Sequence, residues 1–231
     1  MDGQTLEMYQ LDINTIIEAW PLIMQGLIVT LKISLISSVL AFIVGLTIAY
    51  FRNFTTGIIK IILSAFVEIV RNTPLLIQLY LYYKGLPNIG IELSPIMCGI
   101  LALSFYTGVF ISEVLRSGFN AVAKQQYEAA KSLGLNDIQT FMLVIFPQAI
   151  RIVIPPLGSQ FINLIKNSSL VSFIAVGDVF YYIYKGAVDD FRFFEYFVAG
   201  GIIYMILTGV VAIATNYLEH VFTIPGRAIK V

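Results

Sequence analysis

Long apolar stretches dominate the chain, and polar clusters separate them. An apolar run follows Trp20-Pro21 and continues to Tyr50, with Lys32 near its start and an uncharged stretch from Ile33 onward. A second runs from about Ile61 to Tyr83 and contains Glu68, Arg71 and Pro74. Pro95 to Ser112 is a third, uncharged run that continues through Glu113 to Arg116. Ile152 to Tyr184 is too long for one simple crossing, and Pro155-Pro156 and Lys166-Asn167-Ser168-Ser169 interrupt it. Tyr196 to Leu218 is the cleanest run, without a charge. Uncharged apolar segments of about 20 residues can cross a bilayer as helices, which satisfy their own backbone N–H and C=O groups in lipid. The pattern therefore predicts an all-α integral membrane protein of about five transmembrane helices. In the fourth run we expect a helix to about Ile165, then a short segment that does not cross fully.

Composition agrees with a membrane class. The 231 residues are 58% hydrophobic and 12% charged, against about 25% charged for a soluble domain. Zero formal net charge gives no electrostatic footprint for nucleic acid. The single cysteine, Cys98, excludes an intrachain disulfide, and one histidine, His220, makes no His-rich metal site. Residues 1–20 read as an acidic leader, without the basic region of a signal peptide, and are expected to be retained. A membrane unit is expected over 21–220 and a short tail over 221–231. Arg52, Lys60, Arg116, Lys124, Lys131, Arg151, Arg227 and Lys230 fall on one side of a five-helix arrangement. The opposite side holds mostly acids. The positive-inside rule then puts the N-terminus outside and the C-terminus in the cytoplasm.

The polar stretch over 118–151 carries the most local punctuation. Tyr127 to Leu133 reads as a short helix that Gly134 ends in a left-handed conformation. Asn136 caps a second helix with Asp137 in its first turn. Pro147, with no N–H, suits a break or the first turn of the next helix.

Glu128-Ala129-Ala130, three residues, Gly134, then FPQAIR closely resembles the EAA loop of permease subunits of ABC importers, in the branch that takes up polar amino acids. Two more blocks match. Arg71, Thr73, Pro74, Leu75, Leu76 and Gln78 follow a family R-G-T-P-L-L-x-Q pattern, with Asn72 in place of glycine, and LIKNSSL (164–170) follows a third block. Ala123-Lys124-Gln125-Gln126 departs from the family's P-K-G-Q, and the likeness runs from about residue 15 to 220. It implies a type I ABC importer permease fold in a bacterial inner membrane and transport by alternating access. Glu128, Ala129, Ala130 and Gly134 would then form the coupling helix on an ATPase, with Ala130 in cross-linking reach of it. The chain has no GxxxxGK[ST] phosphate loop, so no cofactor is expected here, and ATP and Mg belong to the ATPase subunits. The other implied partners are a second permease chain, an extracytoplasmic solute-binding protein and an amino-acid substrate.

Ionisable side chains inside membrane helices usually face protein or a water path. Glu68 with Arg71, and Glu113 with Arg116, are each three apart on one helix face. Each pair is either an interfacial ion pair or part of a path. Lys166 is either a path cation or the partner of a carboxylate. Pro74 removes the N–H that would bond Val70, freeing a carbonyl and bending the chain at Arg71 to Thr73. Glu68, Arg71, Thr73, Gln78, Lys166, Asn167 and Ser168 are thus the candidate substrate path. An ion-coupled secondary transporter or channel is the alternative, although no internal repeat is visible. An intramembrane hydrolase lacks a nucleophile–base set.

Overall fold

Asp12 opens the first helix by accepting a hydrogen bond from the Asn14 N–H at 3.0 Å. The computed structural model describes residues 11–222, which form helices and connecting turns with no strand among them. Most of the acidic leader (residues 1–10) and the tail with Arg227 and Lys230 lie outside the described residues. Helix α1 runs from Ile13 to Phe54 through Pro21, so helix begins well before the apolar run. At 1.5 Å per residue its 42 residues exceed the ~30 Å hydrocarbon thickness.

Gly57, at φ +68°, leads into α2 (Ile58–Asn72). The second apolar run is not one bent helix. Thr73 and Pro74 are extended and split it, and α3 (Leu75–Tyr80) continues into a π-helical turn (Leu81–Gly85). Ser94 accepts from the Met97 N–H and starts α4 (Pro95–Ala121), with Pro95 in the first turn. Helices α5 (Lys124–Ser132) and α6 (Asp137–Thr140) form the polar loop, and a π-helical turn (Phe141–Ile145) leads into α7 (Phe146–Ser168). A 3-10 segment (Ser169–Ile174) and Ala175 at φ +59° connect to the short α8 (Val179–Asp189), and α9 spans Phe193–Phe222. Among the described residues, four helical runs are long and apolar enough to cross a membrane: Ile13–Asn53, Pro95–Ala121, Asp137–Ile174 and Phe193–Phe222. The remaining expected crossing is the broken α2–α3 pair.

The fourth apolar run corrects two expectations. Pro155 and Pro156 lie inside α7 and do not interrupt it, and Lys166 to Ser168 are still α-helical. Neighbours hold the helix where prolines remove backbone bonds. Val153 and Leu157 pack into a core with Ile111 and Leu115, and Gly158 sits against the Thr215 side chain of α9. At the other end the Ser168 and Ser169 hydroxyls donate back to the Ile165 and Lys166 carbonyls, at 2.7 and 2.8 Å. Such bonds stay within the helical path, and the chain tightens into 3-10 geometry rather than breaking. The short α8 agrees with a segment that does not fully cross.

Helix α4 is the central element. It packs along α1 and against α7, and buries Cys98, Ala102, Val109, Ile111 and Leu115. Small residues bring α1 and α4 together: a Cβ on Gly108 would lie 2.8 Å from the Val44 side chain, and one on Gly45 2.6 Å from Ile111. Close backbone approach at glycine gives the dispersion contacts that hold helices together in lipid.

Candidate functional site

The α5–α6 loop is built as a rigid clip. Gly134 sits at φ +79°, in the left-handed region that costs other L-residues roughly 1–2 kcal/mol. Its N–H donates to the Lys131 carbonyl at 2.9 Å, and the Leu135 N–H donates to Ala130 at 3.2 Å. This pair of bonds is the Schellman ending of a helix. Asn136 and Gln139 form a reciprocal capping box at 2.9 and 3.0 Å, which starts α6. Asp137 then reaches back to α5: Lys131 Nζ lies 2.6 Å from its carboxylate, and the Tyr127 hydroxyl donates to it at 2.7 Å. The carboxylate pushes the Lys131 ammonium and the Tyr127 phenol above their ordinary pKa values, chiefly through these hydrogen bonds. Gln148 joins the clip to α7 by donating to Gln126 and to the Val144 carbonyl.

The sequence-predicted loop residues divide between two faces. Glu128 and Ala129 are exposed, and Glu128 pairs with Lys124 at 3.3 Å. Ala130 is only 3% exposed and faces inward, unlike its exposed neighbours Glu128 and Ala129. Helix α5 packs against the Phe141–Ile145 turn, and the small Ala130 side chain is its buried residue. Leu133 and Ile138 flank Gly134 and are 81% and 75% exposed. Ala123 precedes α5 at φ −57° and ψ 133°, with no side-chain cap.

The second candidate region surrounds the Thr73-Pro74 break. The Val70 carbonyl freed by Pro74 is not open. Gln78, 8% exposed, donates its amide to Val70 at 2.9 Å and to the Thr73 carbonyl at 3.0 Å. Only the NH2 group can serve two carbonyls, so the amide orientation is set and its oxygen is left as an acceptor. The Thr73 hydroxyl donates to the Ile69 carbonyl at 2.8 Å. These groups line a cavity of about 230 Å3 with apolar walls from Ile69, Val70, Leu81 and Leu86 and the phenol of Tyr82.

Glu68 and Arg71 form a loose pair at 3.6 Å on an exposed face, and Asn72 donates to the Glu68 carboxylate and carbonyl. Lys166 is exposed at the end of α7, Asn167 is half-buried, and Ser168 is buried. Among the described residues no ion pair joins Lys166 to Glu68. The two stretches approach each other through α3 instead, where the Tyr80 hydroxyl donates to the Phe173 carbonyl at 3.1 Å. Within one chain the seven candidate residues therefore form two separate groups.

Sequence reasoning missed the partners of three side chains. Glu113 pairs with Arg116 at 2.8 Å, as its spacing predicts, but also with Arg52 of α1. Gln78 acts as an internal cap. Asp178, inside the bundle, accepts from the Tyr181 N–H at the start of α8 and from the Tyr204 hydroxyl at 3.2 Å. A proline followed four residues later by glutamine was the available signal for the Gln78 cap. The pairing of positions 52 and 113 has no local sequence signal.

Comparison with known proteins fits this arrangement. Residues 45–222 match the family described as binding-protein-dependent transport system inner membrane component. The chain is 36% identical over 209 residues to the probable glutamine ABC transporter permease protein GlnM of Bacillus subtilis (strain 168), covering 90% of this chain and 97% of that one. It is 30% identical over 211 residues to the arginine transport system permease protein ArtQ of the same organism, covering 91% and 96%. A solved structure described as an amino acid ABC transporter with histidines superimposes with a TM-score of 0.86 at 32% identity, over 92% of this chain and 99% of that one. The chain belongs to the family of inner membrane components of binding-protein-dependent transport systems.

Proposed function

We propose that this chain is the transmembrane permease subunit of an ABC importer for polar amino acids in a bacterial inner membrane. A separate ATPase, carrying ATP and Mg, docks on the α5–α6 loop, and an extracytoplasmic solute-binding protein delivers substrate to the opposite end. Two permease chains enclose the path, with the N-terminus outside and the C-terminus in the cytoplasm. ATP-driven closure of the ATPases moves the loops and switches the path between the two sides. The relatives' glutamine and arginine systems support the substrate class.

The observation that carries this reading is the loop itself. Its helices are clipped by Asp137, ended by Gly134 and capped by Asn136, yet Leu133 and Ile138 project outward. A rigid polar loop with unpartnered apolar side chains at its tip suits a protein partner. Proteoliposomes holding the chain with its ATPase and solute-binding protein test it, using a radiolabelled mixture of the proteinogenic amino acids. Uptake requires ATP, and a cysteine at position 133 cross-links to the ATPase while one at the buried position 130 does not. Uptake that follows an ion gradient without the ATPase overturns the reading in favour of an ion-coupled transporter.

A further inference from the structure

Glu113 holds two guanidinium groups at once. Arg116, one turn along α4, lies at 2.8 Å, and Arg52 reaches across from the last turn of α1. The Arg52 and Glu113 side chains are only 12% and 20% exposed, unlike the open Lys124–Glu128 pair of the loop. Shielded from solvent, such a pair is screened much less than a surface pair. Charged hydrogen bonds to Arg are also geometrically specific.

The position of this cluster gives it a connecting role. Helix α4 ends at Ala121, and only Val122 and Ala123 separate it from α5, so a displacement of the loop bears directly on the end of α4. Arg52 lies just before the Thr55–Gly57 connection, where Gly57 at φ +68° starts α2. Helix α2 in turn carries Glu68, Arg71 and the break that Gln78 caps. Toward the middle of the bundle, the close contacts of Gly45 with Ile111 and of Gly108 with Val44 already lock α1 to α4. The charge cluster extends that lock to the end nearest the loop.

We infer that Arg52, Glu113 and Arg116 are positioning residues that relay movement of the α5–α6 loop to the start of α2 and so to the substrate path. The inference rests on the importer reading given above, and its warrant is a contiguous run of packed and ion-paired elements between two sites. Neither arginine touches substrate or ATP in this role. Their effect is on how much transport each ATP produces.

The test measures ATP hydrolysed per amino acid imported, in proteoliposomes with the ATPase, the solute-binding protein and the radiolabelled amino-acid mixture. Arg52→Gln and Glu113→Gln remove one arm or the centre of the cluster. Both are expected to assemble and hydrolyse ATP, with the ratio raised by about 5-fold or more, the low end of ordinary coupling between sites. Arg52→Lys keeps the charge and restores most of the coupling. Unchanged ratios in both glutamine variants overturn the inference. So does loss of assembled complex in which the remaining transporters keep the wild-type ratio, because the cluster then only secures the fold. If Glu113→Gln alone fails to assemble, the Arg52→Gln and Arg52→Lys pair decides by the same ratio. Absence of ATP-dependent uptake by the wild-type chain is read separately, because it refutes the importer reading before any variant is compared.

Discussion

At Gln78 a single side chain repairs a broken helix. Pro74, just beyond α2, has no N–H to bond the Val70 carbonyl, and the amide of Gln78 donates in its place to Val70 and also to Thr73. Leaving a buried carbonyl without a partner costs about 1–3 kcal/mol. Gln78→Leu keeps similar bulk but supplies no donor, so the complex should lose thermal stability by an amount of that order. Gln78→Glu should be worse, because a carboxylate facing two carbonyls offers only acceptors at neutral pH. Thermal unfolding in detergent measures both, and a Gln78→Leu protein as stable as wild type removes the capping role. Gly134 presents the opposite case, in which backbone rather than side chain decides. A Cβ there would meet nothing within 4 Å, so crowding cannot explain a defect. Its φ of +79° can. Asn visits this region far more readily than a β-branched residue. Gly134→Asn should transport nearly as wild type, while Gly134→Val should insert normally and lose coupled uptake. Equal uptake by the two variants would show that φ at this position is unimportant.

The loop shows what element-level sequence signals carry. Gly134 and Asn136 were legible because each acts through its own backbone or over three residues, and both occupy the predicted roles, whereas Pro147 lies where the π-helical turn passes into α7 within one continuous helical run. An interruption before Pro74 was legible for the same reason, although as a bend and not as the full split between α2 and α3. The facing of Ala130 was not, since a nine-residue helix of mixed polarity has no strong apolar stripe to orient it. The continuity of α7 through Pro155-Pro156 was also hidden, because it depends on contacts from α4 and α9 that no local pattern encodes. The clip formed by Asp137 is an element-scale device, since it joins α5 to α6 across the Gly134 turn. Asp137→Asn removes the ion pair with Lys131 and weakens the hydrogen bond from Tyr127. Because these groups are solvent-exposed, the wild-type clip should loosen as ionic strength rises. Amide exchange over residues 124–140 should therefore quicken in the variant, and high salt should quicken it in the wild type but little further in the variant. Exchange that is equally slow in both proteins at low salt argues that the Schellman turn and the capping box alone hold the loop.

At the scale of the whole molecule, the exposed charges of a single chain bear on the proposed pairing of two chains. Glu68 and Arg71 project from α2, shortly before the Thr73-Pro74 break, and Lys166 projects from the end of α7. A charge facing lipid near the bilayer centre costs about 2.5–3.5 kcal/mol or more, and the loose 3.6 Å contact of Glu68 with Arg71 does little to offset it. In the two-chain arrangement proposed above, a water-filled space between the chains would remove that cost. Within one chain Lys166 has no ion pair to Glu68 among the described residues, so a role for Glu68 in neutralising Lys166 would require contacts between chains. Glu68→Gln separates these two arrangements. If Glu68 lines the path, the variant should assemble in normal amount and change the KM for uptake or the preference between cationic and neutral amino acids. Should it instead pair across the chain interface, removing its charge leaves an unpaired cation and lowers the yield of assembled complex. Quantifying complex in membranes alongside competition uptake with arginine and glutamine reads both outcomes from one preparation. A variant with normal assembly and unchanged kinetics for every amino acid removes Glu68 from the path, leaving Thr73, Gln78 and the end of α7 as the groups to examine.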